Sequence, residues 1–98
     1  MELFKNRTIM KQWKDFVKSD DFMDYRCFYK SIKITAQTMM LNMIDFIFID
    51  DVFTAFLELS ELNNTIDIML STNSYETLHL CKERVDYLLK EKSENWYI

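Results

Sequence analysis

Met39-Met40-Leu41-Asn42-Met43-Ile44-Asp45-Phe46-Ile47-Phe48-Ile49-Asp50-Asp51-Val52-Phe53 is the centre of a longer segment, Ile34 to Leu70, with no Lys, Arg, Gly or Pro and an apolar majority. Three aspartates interrupt it. Each would cost about 2.5–3.5 kcal/mol at the middle of a bilayer. No uncharged apolar window of the length a membrane span needs is present, so the segment reads as the core of a folded domain. The flanking sequence is shorter in its apolar runs, more charged and amphipathic, as expected of elements that wrap this core.

The whole chain of 98 residues contains neither Gly nor Pro. Tight hairpins draw on Gly for positive φ, and Pro marks turns and strand edges. Helices need neither, because Ser, Asn and Asp serve at their ends. The expected fold class is therefore all-α: a compact antiparallel bundle of four to five helices, with residues 1–98 forming a single domain. Eight Phe, five Tyr, two Trp and seven Met are more apolar bulk than so small a domain readily hides. Some of it is expected outside, available to a second copy or another protein; the ordinary alternative is partial burial throughout.

Working outward, the polar stripe Thr38, Asn42, Asp45 does not continue into Thr54, Glu58, Glu61 on one helical wheel. A break is expected near Ile49-Asp50-Asp51, with Asp50 or Asp51 as N-cap. This splits the centre into a helix over 36–49 and another from Asp51 to about Leu70. Phe46-Ile47-Phe48-Ile49 also has β-propensity. The second helix has a regular apolar seam, Val52, Ala55, Leu59, Leu62, Ile66 and Met69. The poor helix formers Asn63-Asn64-Thr65 favour a kink within it.

Before the centre, helices are expected over 6–18, with Ile9, Met10, Trp13, Phe16 and Val17 on one face, and over 21–33, with Phe22, Tyr25, Phe28, Tyr29 and Ile32. Ser31-Ile32-Lys33-Ile34-Thr35 also fits a short strand. After the centre, Ser71 to Ser74 reads as a turn, with Asn73 and Glu76 in a capping box. A last helix over 74–92 would bury Leu78, Cys81, Val85, Leu88 and Leu89. The tail Asn95-Trp96-Tyr97-Ile98 is unusually aromatic.

Charge is partitioned. Residues 1–34 carry eight bases and five acids, residues 35–72 six acids and no base, and residues 73–98 four bases and five acids. Arg7, Lys11, Lys14 and Lys18 form one basic stripe, and Arg26, Lys30 and Lys33 another. They could neutralise phosphates or be the solvated side of amphipathic helices. The overall acidity and the absence of a zinc-finger or RNP pattern weigh against a stand-alone nucleic-acid binder.

Asp20-Asp21-Asp24 and Asp45-Asp50-Asp51-Glu58 could hold a divalent cation, but both lie at expected helix starts, where carboxylates cap and complement the helix dipole. The single His79 pairs most simply with Glu83; a dyad with Cys27 or Cys81 lacks supporting context. Two cysteines outside a CxxC motif and an N-terminal stretch without a signal-peptide core suit a reducing cytoplasm. No cofactor or metal is expected.

Leu80, Arg84 and Tyr87 fall away from the apolar side of the last helix. With Trp96 and Tyr97 they have the composition of a protein-docking surface, unless the tail covers them. The function expected is a small non-enzymatic accessory or regulatory subunit that docks on a larger protein or self-associates, a nucleic-acid-processing enzyme being one possible partner. Nucleic acid enters indirectly, with direct binding through the basic stripes as the alternative. The AT-rich character of the composition fits small helical proteins of phages and mobile elements by analogy.

Overall fold

The computed structural model describes residues 25–97 together with Ile9. Helix α1, Tyr25–Met43, joins what the sequence divided into two helices. Phe28, Ile32, Ala36, Met39 and Met43 are all buried and recur at intervals of four, four, three and four, a single unbroken stripe. The alternative of a strand over 31–35 fails for this reason: Ile32 and Ala36 sit on the same side as their neighbours a turn away. Thr35 and Thr38 are accommodated by donating to the carbonyls of Ser31 and Ile34, at 3.1 and 3.2 Å.

A 3₁₀ turn, Ile44–Phe46, follows α1 directly. Residues 46–49 form no strand. Ile49 N–H bonds back to Phe46 O at 3.0 Å, a local closure for a backbone that has no strand to pair with among the described residues. Ile49 then turns extended (φ −86°, ψ 124°) and helix α2, Asp50–Ser71, begins. The break therefore falls where the phase jump placed it, but the cap does not. Ile49 is the N-cap and makes no side-chain capping bond, while Asp50 and Asp51 lie inside the first turn, where their charge complements the helix dipole.

Helix α2 buries the six seam residues expected of it. It runs through Asn63-Asn64-Thr65 without interruption. Asn63 Oδ1 accepts from Gln37 Nε2 on α1 at 3.1 Å, and its Nδ2 donates to Asn64 Oδ1 at 3.3 Å. Packing overrides propensity here: Leu62 and Ile66, on either side, are fully buried. Twenty-two residues at 1.5 Å each give about 33 Å, most of the 38 Å long dimension of the molecule.

After Thr72 the chain turns and Ser74, rather than Asn73, caps helix α3, Tyr75–Tyr87, accepting from Thr77 N–H at 3.3 Å. The axis continues as a π-helical segment, Leu88–Lys92, and a 3₁₀ turn, Ser93–Trp96. In a regular α-helix Lys92, four residues beyond Leu88, would face the core. The wider π turn carries that position on to Ser93, which is buried with its hydroxyl donating to Leu89 O. The 3₁₀ turn then eclipses Ser93 with Trp96 and delivers the indole to the interior.

Helix α2 is flanked by α1 and α3, and one continuous core joins all three with the C-terminal turns. The two α1–α2 bonds, Lys33 to Asp67 and Gln37 to Asn63, fix an antiparallel register in which paired residue numbers share a constant sum. The three-residue connection to α3 imposes a second antiparallel packing. The described residues are all-helical with no strand, and they comprise three α-helices. The helix expected over 6–18 lies outside them except for Ile9, which is fully buried and donates its N–H to Tyr97 Oη at 3.1 Å. Among the described residues no helix is long and apolar enough to cross a membrane.

Tyr29 ties α1 to α3. Its ring is buried edge-on to Phe28, and its hydroxyl donates to Asp86 Oδ1 at 2.8 Å, with Lys82 on the other carboxylate oxygen at 2.9 Å. Burial foremost, and then the Asp86 carboxylate, holds the phenol well above its ordinary value. The folded state thus keeps this proton after the unfolded chain, titrating near pH ~10, has released it. Stability should fall by about 1.4 kcal/mol per pH unit above that point on account of this one group. Tyr29→Phe should cost about 1–3 kcal/mol at neutral pH and flatten the alkaline slope relative to wild type. Urea titrations at neutral and alkaline pH read both effects; parallel alkaline slopes would refute this account.

Candidate interaction surface

The register set by Lys33–Asp67 and Gln37–Asn63 places Met40 across from Ser60, and just beyond the end of α1 Ile44 meets Phe56. The α1–α2 seam is therefore polar at one end and apolar toward the turn. Between the two regimes lies a groove of about 430 Å³ lined by Gln37, Met40, Leu41, Ile44, Phe56 and Asn63. Phe48 at the turn is 80 % exposed, Leu41 71 % and Ile44 52 %. Phe53 and Leu57, one turn apart on α2, are also exposed.

This apolar surface arises because residues 41–57 carry large side chains on more than one side. Helix α1 buries only Met39 and Met43 near its end, and the 3₁₀ turn that follows buries nothing. Helix α2 seats Val52, Ala55 and Leu59 inward, leaving Phe53 and Leu57 outward. Single exposed apolar residues are common; a run of them beside a groove is the feature that marks binding surfaces.

At the turn between α1 and α2 the charge is of one sign, whereas Asp51 and Glu58, on the side of α2 toward the C-terminal turns, line a second cavity with Lys92. Asp45, Asp50 and Asp51 are exposed and make no ion pair among the described residues. Lys33, at the far polar end of the seam, is paired with Asp67.

The residues singled out on α3 and the tail are placed differently from one another. Leu80 is 64 % exposed. Arg84 makes a bidentate pair with Glu61 of α2, Nη2 to Oε1 at 2.9 Å and Nε to Oε2, and lies over the Tyr87 ring at 5.0 Å. The guanidinium hydrogen bond holds the Glu61 carboxyl below its usual range and the Arg84 value is raised in turn. The pair contributes above the Glu61 titration and is lost as pH falls through it; both partners are solvated, so its worth is at most about 1 kcal/mol. Trp96 is 0 % exposed and belongs to the core, because the π and 3₁₀ turns fold it inward. Tyr97 is half-buried and hydrogen-bonded to Ile9. These five residues therefore form no continuous exposed surface.

Of the basic stripes, Arg26 and Lys30 are exposed on α1, Lys33 is held by Asp67, and Arg7, Lys11, Lys14 and Lys18 lie outside the described residues. His79 pairs with Glu83 at 3.1 Å, as its spacing suggested, and stacks on Tyr75. Cys27 is exposed and Cys81 half-buried, both with free thiols. Among the described residues no group of three His, Cys, Asp or Glu side chains could hold a metal ion. Comparison with protein-family models, with curated proteins and with solved structures yields no match.

The apolar surface on residues 41–57 was not among the residues singled out from sequence, although its source was visible. The segment 39–53 has more large apolar residues than one helix face can bury. Which of them stay outside depends on the angle at which the chain leaves α1, and that is set by the 3₁₀ turn.

Proposed function

We propose that this protein is a small non-enzymatic binding module, an accessory or regulatory subunit that attaches to a larger protein through the apolar surface of the α1–α2 hairpin. The observation that carries the reading is the exposure of Leu41, Ile44 and Phe48 beside the groove at Phe56. Water ordered around such a patch is released on docking, and burying each of these side chains is worth about 1.5–3 kcal/mol. The rest of the described chain is consistent with a scaffold for that surface. Glu83 is paired with His79, and Glu61 and Asp67 of α2 are paired with Arg84 and Lys33. A cytoplasmic setting suits the two free thiols. The four- to five-helix bundle read from the sequence remains our proposal for the whole chain.

The test is affinity capture from the native source with wild-type protein and with Leu41→Ser, Phe48→Ser in parallel. Both positions are solvent-exposed, so the double variant should keep its helical circular dichroism. A partner retained by wild type and lost by the variant is the expected result. The same proteins captured by both would refute this docking surface. Capture that survives the variant but vanishes with nuclease or salt would instead favour nucleic acid on the basic stripes.

A further inference from the structure

We infer that the occupant of this surface is a basic amphipathic helix of another protein, its apolar residues seated between Ile44 and Phe56 and its Lys or Arg side chains turned toward Asp45 and Asp50. The inference rests on the docking reading above and adds the chemistry of the partner. Charge complementarity carries it. Between Ile34 and Thr72 the chain has six carboxylates and no cation. Asp67 and Glu61 are already paired, with Lys33 and Arg84. Asp51 and Glu58 line a separate cavity with Lys92, on the side of α2 toward the C-terminal turns. Asp45 and Asp50, both exposed and both at the turn between α1 and α2, are left for a partner's charge.

The same charges disfavour the other occupants. A second copy docking face to face across a two-fold axis would set these carboxylates against their own images, and like charges juxtaposed at an interface are costly. Anionic lipid and nucleic-acid phosphate would be repelled as well. A helix fits the shape, since the groove follows the α1–α2 seam and an amphipathic helix presents a narrow apolar stripe at intervals of three and four. Lys and Arg beside that stripe reach the rim with their charged ends while their alkyl stems cover Leu41 and Phe48.

The experiment uses the full chain and two synthetic helical peptides, each roughly 18 residues long to allow a stable helix. Both carry Leu along one face; one has Lys at the remaining positions and the other Glu. Calorimetric titration should show the Lys peptide binding at least about tenfold more tightly than the Glu peptide, with a preference that shrinks as salt is added. Asp45→Asn, Asp50→Asn together should erase the preference and leave the Glu peptide's binding no weaker. Leu41→Ser, Phe48→Ser should weaken both peptides. Equal affinity for the two peptides would overturn the inference about charge while leaving the docking surface standing. No binding of either peptide, with native capture indifferent to the Ser variant, would overturn both. A concentration-dependent dimer that the Ser variant abolishes would overturn the inference in favour of a second copy.

Discussion

Trp96→Ala should destabilise the protein by about 3–5 kcal/mol, the range for removing a fully buried Trp. The indole is completely enclosed, contiguous with Leu88 and Leu89 in the core, and it lies only two residues from the end of the chain. A domain of this size has about 5–15 kcal/mol in total, so the variant would stand near its limit. With about 4–8 °C of midpoint per kcal/mol in small domains, the loss should lower the thermal midpoint by at least about 12 °C. Trp96→Phe separates two contributions. The indole Nε1–H is buried without an acceptor among the described residues, a penalty of about 1–3 kcal/mol in itself. Phe keeps much of the apolar volume and removes that donor, so its loss should be clearly smaller than that of Ala. Thermal unfolding followed by far-ultraviolet circular dichroism measures both. A tail that merely lay on the surface would show little change in either variant, and the π-helical delivery of Trp96 to the core would then be wrong.

The position of Trp96 also shows where the sequence stopped being legible. An aromatic tail can cover a core or advertise a docking site, and its composition is the same in both cases. The deciding fact is one residue of helical register. With α geometry throughout, Lys92 would be pressed toward the interior; the chain avoids burying an ammonium by widening the turn, and Ser93 takes the place. Periodicity assumes a constant turn and so has no access to this. The same limitation explains the caps. Asp50, Asp51 and Asn73 are good capping residues by type, yet Ile49 and Ser74 occupy the cap positions, because the cap is fixed by which backbone turns extended.

What periodicity did resolve is what depends on a regular helix packed against a large apolar neighbour. The all-helical class followed from the missing Gly and Pro, and the α2 seam from its three-four spacing. The join between 21–33 and 36–49 was missed because Ser31 to Thr35 alternates like a short strand, and Thr38 beyond it is another weak helix former. In the folded chain the side chains of Ser31, Thr35 and Thr38 are held against the helix backbone or face water, while the buried stripe runs on beneath. The binding surface was legible only as a surplus: too many apolar groups for the space available, without an address.

Asn64→Pro is expected to cost about 3 kcal/mol or more, since proline inside a helix removes a backbone hydrogen bond and crowds the preceding turn. The substitution discriminates sharply between two accounts of Asn63-Asn64-Thr65. If the helix divided there, as the residue types suggest, proline would sit at a helix start and do little harm. In the continuous α2 it strikes the middle of the element against which α1 and α3 both pack. Asn64 is exposed, so no side-chain burial confounds the comparison. Asn64→Ala should move the other way, gaining up to about 0.7 kcal/mol from helix propensity. The pair of variants should therefore differ by more than about 3 kcal/mol in urea titrations, and a difference near zero would mean that α2 is two helices. The effect should also reach the proposed binding surface. Ile44 faces Phe56 only because Gln37–Asn63 and Lys33–Asp67 hold α1 in register on an unbroken α2. Proline at position 64 lies between those two clasps, so peptide affinity at the groove should fall along with stability, although Asn64 is not in the groove lining and reaches it only through its bond to Asn63.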